Sequence, residues 1–267
     1  VESETRPERP ESDVFAERLL REVPLFRALV RAAECRLFAE LDLPEPVLDV
    51  GCGDGTFVRA LAPATAWAGV DPDAKSVRAA ERLEAYRLLA VAEGARLPFQ
   101  DAAFGAVVSN STLEHIPEVE PVLAEMYRVL RPGGALVVTF PSDLFYEYHF
   151  GTMVLSLLGP LAGAYRRWVR RMARVHHADP PDVWRERLER LGLTVERWRY
   201  YFSRRSTAAL DLGHYVSAPS LLTHRLLGRW VLCPGKVGLL PIARWLEPLT
   251  RPGPSDRGAF LLFVCRK

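Results

Sequence analysis

VLDVGCGDGTF, residues 47–57, runs from a short apolar stretch into three glycines at alternate positions, Gly51, Gly53 and Gly55, with Asp49 two places before the first. A β-prone run that ends in glycines and then takes up a helical pattern reads as a strand turning into a helix. Glycine at such a turn lets the backbone approach a ligand closely, because no Cβ intervenes. The spacing here is G-x-G-x-G behind an acid, not the G-x-G-x-x-G of dinucleotide sites. A carboxylate beside the turn would repel a diphosphate, so the loop favours a ligand that presents an ammonium and a sulfonium. A tight turn without a ligand is the plain alternative, and only the segments downstream decide against it.

Those segments alternate strand-like and helical runs, the signature of a parallel sheet with crossover helices. After the strand at 47–50, strands are predicted at 66–70 (AWAGV), 86–91 (YRLLAV), 105–110 (GAVVSN) and 135–140 (ALVVTF). Val119, Val122, Leu123, Met126, Val129 and Leu130 line one helical face between the last two. The reading is an α/β fold with a doubly wound core. Upstream, residues 1–12 are charged and proline-bearing and read as a loose tail. Residues 13–44 read as a helical cap, on Phe26, Leu29, Val30, Ala33, Leu37, Phe38 and Leu41 at helical spacing. Beyond Phe140 no strand is predicted until 195–202 (VERWRYYF), a helix is expected over 181–191, and 259–265 (AFLLFVC) reads as a final buried strand. This divides the chain into a core over 45–141, a lid insertion and helix over 142–193, and the last two strands over 194–267 with an apolar insertion at 203–257.

Asp71, followed by Pro72, stands at the end of the second strand, where a carboxylate can accept both hydroxyls of a ribose. It could equally be a turn starter. Next come AEGARLPFQDAAFGAVVSNSTLEHIPE (92–118) and RVLRPGG (128–134). In this order the blocks resemble the class I, Rossmann-like methyltransferases that use S-adenosylmethionine, in the broad family with an LPF-D-x-x-F segment, an LEH segment and RVLRPGG. The resemblance covers roughly 45–141 and, more loosely, the last two strands. It implies a seven-stranded, mostly parallel sheet with the last strand antiparallel, and a mainly helical lid from insertions after strands five and six. It also implies that Asp49, Gly51, Gly53 and Gly55 hold the methionine part of the cofactor and that Asp71, with Pro72, meets the ribose. Glu93 would accept the adenine amino group beside the Gly94 or Ala95 amide, and Asn110 and Leu113 would flank the methionine carboxylate and methyl group. Glu93 stands where the family usually has Asp, and Gly94 where it usually has Ala.

A methyl group on a sulfonium is already activated, so much of the catalysis is positioning of the acceptor and exclusion of water. A general base is required only when the acceptor must lose a proton. His115 is the best-placed titratable group for this, although fixing its loop by hydrogen bonds is the somewhat favoured reading. Tyr146 and His149, just after the fifth strand, are further candidates, since acceptor sites lie at the carboxyl ends of strands. Adjacent His176 and His177 point apart and lack a spaced third ligand, so no metal site is expected. Cys52 reads as a small packing residue between glycines.

Composition bounds the rest. The chain of 267 residues is 49% hydrophobic and 25% charged, enough for one large α/β domain with elaborations. Its net charge of +2 hides an asymmetry: residues 1–140 carry −8 and residues 141–267 carry +10. Cys35, Cys52, Cys233 and Cys265 show no paired spacing, and no secretory leader is expected within this stretch, so a cytoplasmic setting is the expectation. Residues 148–165 carry no formal charge and are followed by RRWVRRMAR. Glycines and Pro160 break that run, and strands of one sheet lie on either side of it, so a membrane crossing is excluded. The expected acceptor is a small molecule or a lipid-linked one. A peripheral contact with an anionic membrane at the inner face, a soluble cap and a dimer interface all stay open. A nucleic-acid substrate is not expected, because no recognisable module accompanies the basic charge. A catalytically silent cofactor-binding or scaffold protein is the alternative from another class.

Overall fold

All four residues of β1 (Val47–Val50) and all seven of β4 (Phe104–Asn110) are buried, and a strand hidden on both faces needs helices on both faces. The structure, a computed structural model, describes residues 14–61, 67–218, 225–226, 239–251 and 256–267. The expected tail at 1–12 and most of the apolar stretch at 219–238 lie outside the described residues. One seven-stranded sheet forms, in the order β3-β2-β1-β4-β5-β7-β6. Here β2 is Ala68–Asp71, β3 Leu88–Val91, β5 Leu130–Pro141, β6 Thr194–Tyr201 and β7 Phe260–Arg266. The strands β1 to β5 are parallel, and β7 runs antiparallel to both β5 and β6. The order reverses between β1 and β4, so the crevice at their carboxyl ends is where such a sheet binds ligands.

Two cores flank the sheet. On one side α1 (Val14–Leu20), α2 (Leu25–Ala39) and α3 (Thr56–Leu61) pack with α9 (Arg204–Val216) and α10 (Leu239–Thr250). On the other lie α5 (Val119–Val129) and α8 (Pro181–Arg190), whose Met126, Trp184 and Leu188 are buried against Leu136, Phe140 and Phe263. Between β2 and β3, α4 (Ala74–Arg82) is capped by Asp73, whose carboxylate accepts from the Lys75 and Ser76 amides.

The elements fall where the sequence places them, with informative shifts. The fifth strand starts at Leu130, not at 135, because the glycine segment is drawn into pairing with the chain end: Gly133 N donates to the Lys267 carbonyl at 2.7 Å and Lys267 N to that of Gly134 at 3.0 Å. The uncharged run is two helices, α6 (Phe150–Leu155) and α7 (Leu161–Ala173), parted at Gly159, whose φ is 65°. Among the described residues no helix is long and apolar enough to cross a membrane. The insertions after β5 and β6 meet each other. Asp211 of α9 accepts from the Gly151 amide at 3.1 Å and from the Tyr165 hydroxyl at 2.8 Å, which ties α6 and α7 to a helix that also packs on α2.

Trp184 is fully buried and stacks on Phe140 with ring centroids 3.8 Å apart, while its Nε1 has no partner. Trp184→Ala is expected to lower unfolding free energy by about 3–5 kcal/mol in urea titrations. Trp184→Phe, which also removes the unpartnered N–H, should cost under about 1.5 kcal/mol; equal losses for both would contradict this account of the core.

Candidate functional site

The turn after β1 has the conformation its glycines permit. Gly51 sits at φ +82°, and a Cβ there would lie 2.2 Å from the Thr112 side chain. No L side chain meets both conditions. The Gly51 and Cys52 amides donate to the Val70 carbonyl, which locks the turn to β2. At the end of β2 the half-buried Asp71 braces the same loop: Oδ2 accepts from Gly53 N at 3.0 Å and Oδ1 from Asp73 N at 2.9 Å. Each oxygen keeps a further lone pair for a ligand hydroxyl.

Asp49 is 2% exposed. The Tyr86 hydroxyl donates to its Oδ2 at 2.6 Å, and Oδ1 has no partner. Burial pushes this carboxyl up to about 6, against the pull of the Tyr86 hydrogen bond. A buried acceptor without a donor costs about 1–3 kcal/mol, so Oδ1 is a place for a donor to arrive.

The opposite wall comes from α2. Arg27 and Arg31 line the pocket together with Asp49, Gly51, Gly53 and Asn110. Arg27 pairs with Asp54 at 3.0 Å, and Arg31 with Glu34 at 2.7 Å. Glu34 is fully buried. It accepts from Asn110 Nδ2 at 2.9 Å, Ser111 Oγ at 2.6 Å and the Tyr201 hydroxyl at 3.4 Å. In turn Asn110 Oδ1 accepts from the Thr139 hydroxyl. Sequence reasoning took α2 for an apolar cap and missed Arg27, Arg31, Glu34 and Tyr86. For Glu34 a signal existed, since it falls between Val30, Leu37 and Phe38 on the apolar face of the helix, where a charge needs a partner.

The other expected positions divide. Glu93 and Ala95 lie exposed beyond β3, and Pro72 is exposed beside Asp71. At Gly94 a Cβ would meet Val122 Cγ1 at 3.0 Å, a tight contact that explains a glycine where the family has alanine. Leu113 is placed away from the pocket lining: its side chain is fully buried in the core against α5. The ring of His115 is half-exposed, with Nδ1 3.1 Å from the Arg174 carbonyl. His177 Nε2 likewise meets the Ile116 carbonyl at 3.0 Å, and the His176 amide donates to the Glu114 carbonyl at 2.7 Å. These histidines staple the segment after α7 to the turn after β4. His149 is buried, its Nδ1 2.8 Å from the Phe145 carbonyl, and burial holds its imidazole below the usual range. The turn's own carboxyl, Glu114, is 2% exposed with Oε2 unpartnered, and burial pushes it up to about 8. The Tyr146 hydroxyl is also buried without a partner. Among the described residues no group of His, Cys, Asp or Glu could hold a metal ion.

The enclosed part of the pocket is about 30 Å³, room for one small polar group, and the strand ends carrying Asp71 and Glu93 lie open beside it. An amino-acid ammonium matches the unpartnered Asp49 oxygen, and the Arg31 guanidinium, 19% exposed, matches a carboxylate, so the residues present fit S-adenosylmethionine. An ammonium binds the ionised Asp49, whereas the free protein holds the proton up to about 6. Calorimetric affinity for the cofactor should therefore rise with pH up to about 6 and level off above it, approaching tenfold per unit on the acid side. Asp49→Asn should abolish the slope. Without ligand the sign reverses, and this carboxyl withdraws stability as pH rises through about 6.

Residues 48–138 match the family model for a methyltransferase domain. An uncharacterized methyltransferase of Mycobacterium sp. (strain JLS) is 35% identical over 137 residues, covering 51% of this chain and 52% of the relative. One from Mycobacterium marinum is 37% identical over 133 residues, covering 49% and 50%. The matches thus span about half the length of these relatives. Among solved structures, a methyltransferase from Thermotoga maritima superposes with a TM-score of 0.56 at 16% identity, covering 91% of both chains. The cyclase SpnF does so at 0.56 and 20%, covering 88% of this chain and 80% of its own. At such identities the likeness speaks for the fold alone, and a cyclase on the same fold shows that fold does not settle chemistry. Residues 48–138 thus carry a methyltransferase domain, on a seven-stranded sheet with the class I methyltransferase fold.

Proposed function

We propose that the protein transfers a methyl group from S-adenosylmethionine to a small-molecule or lipid-linked acceptor at oxygen, nitrogen or carbon. The observation that carries this reading is the buried, donorless Oδ1 of Asp49 beside the glycine turn. When bound, the cofactor would supply an electrophilic methyl carbon on a sulfonium, open to in-line attack by an acceptor lone pair, with the thioether leaving with the carbon–sulfur pair. Asp49 and Arg31 orient the amino-acid end, Asp71 the ribose, and Glu34 fixes the amide of Asn110 between them.

On the acceptor side, Glu114 in the turn after β4 is the side chain suited to holding a proton at Oε2. His115 is the weaker reading, because its Nδ1 lies against the Arg174 carbonyl. Glu114 interacts electrostatically with Arg31 on the donor side and with Tyr146 on the acceptor side. The lid bears exposed Leu157, Leu158, Leu161, Trp168 and Met172 among the arginines of α7, which supports a greasy acceptor or one presented at a membrane surface.

Incubating the protein with methyl-labelled cofactor and host extract should put label into small molecules or the organic phase. Asp71→Ala should cut transfer at least about tenfold through cofactor affinity. Label in nucleic acid would overturn the acceptor class, and cofactor binding without any transfer would favour the silent scaffold. The proton-accepting form of Glu114 is the ionised one, so turnover should climb with pH through about 8. Glu114→Gln should remove that limb and leave cofactor affinity unchanged; an unaltered profile would take Glu114 out of the reaction.

A further inference from the structure

A cavity of about 310 Å³ lies between α7 and the turn after β5, walled by Tyr146, Glu147, Arg166, Arg167 and Arg170, with Asp143 at its exposed edge. It opens beyond the carboxyl end of β5, on the side where an acceptor enters. At 100° per residue, Gly163, Arg166, Arg167 and Arg170 share one face of α7, opposite the exposed Leu161, Trp168 and Met172. The small residue keeps the wall open: a Cβ at Gly163 would meet only Arg167 Nη1, at 3.5 Å.

The charges do not cancel. Arg166 is matched by Glu147 at 3.9 Å, and the Asp143 carboxylate accepts from the Tyr200 hydroxyl at 3.5 Å. Among the described residues Arg167 and Arg170 make no ion pair, and both are exposed. At the inner end of the cavity stands the Tyr146 hydroxyl, buried and without a partner. Its phenol is raised to about 12 by burial, with the Arg170 charge pulling it down and Glu114 pushing it up. The same tyrosine thus lines the guanidinium cavity and feels the charge of Glu114 in the turn after β4.

The geometry points to a subsite for a phosphoryl group of the acceptor, held by Arg167 and Arg170 with the Tyr146 hydroxyl donating. Two guanidinia on one helical face suit phosphate, because each presents a planar fork of donors to its oxygens. This rests on the methyl-transfer reading and narrows it to an anionic acceptor whose nucleophile lies toward Glu114 and whose phosphoryl group lies under α7. A soluble phosphomonoester and a lipid headgroup share this chemistry.

Phenyl phosphate is the probe for the full chain. Calorimetry should show saturable binding that falls at least about tenfold in Arg167→Gln/Arg170→Gln and returns in part in Arg167→Lys/Arg170→Lys, as expected for charge-assisted contacts. Tyr146→Phe should weaken it less. No saturable binding, or equal binding in wild type and the glutamine pair, overturns the subsite. Cosedimentation with phosphatidylglycerol but not phosphatidylcholine vesicles, lost in the glutamine pair, assigns the phosphoryl group to a lipid. Phenyl phosphate binding without cosedimentation assigns it to a soluble acceptor. S-adenosylmethionine affinity, titrated separately in each variant, should stay constant; its absence in the wild type would sink the methyl-donor reading and leave the anion result to be judged alone.

Discussion

The carboxylate of Glu34 is withdrawn from solvent yet joins three parts of the molecule, the ion pair with Arg31 on α2, the Asn110–Ser111 tip of β4 and Tyr201 at the end of β6. A buried charge is tolerable only when it is paired and hydrogen-bonded, and removing one partner strands the others. Helix α2 is thereby held over the switch point of the sheet in one register. The glycine turn, the Asp49 carboxylate and the Arg31 guanidinium keep their mutual placement because Glu34 holds the helix that faces them.

The acceptor side is assembled from insertions distant in sequence. Asp211 joins α9 to α6 and α7, while His115, His176 and His177 knit the end of α7 to the turn after β4. Among the described residues, ring nitrogens of His115, His149, His177 and His214 lie within 3.1 Å of backbone carbonyls. Among the described residues, Asp49, Glu114 and Tyr146, at or beyond the carboxyl ends of strands, each keep a buried oxygen without a partner. Buried polar atoms without partners are rare in folded proteins, and those at the ends of strands are the ones a ligand atom could satisfy.

The division of charge along the chain has a spatial counterpart. Acidic Asp49, Asp54 and Asp71 surround the glycine turn, moderated by Arg27 and Arg31 from α2, whereas α7 in the basic half carries four arginines, three of them on one cavity wall. A cationic methyl donor and an anionic acceptor would each meet a wall of opposite sign, which favours both encounters and discourages their exchange.

Local sequence determined the sheet, the glycine turn and Asp71, because strand periodicity, positive φ at Gly51 and an acid at a strand end are properties of contiguous residues. It also determined that residues 148–165 do not form one helix, since Gly159 and Pro160 interrupt them. Tertiary structure alone decided which charges face the crevice. Arg31 and Glu34 precede the loop they serve by some twenty residues, and Tyr86 reaches Asp49 across two strands. Glu114 and His115 are neighbours in sequence, yet one turns inward and is desolvated while the other lies half in water. Burial and partnership across the fold separate those two side chains, and no local pattern encodes them.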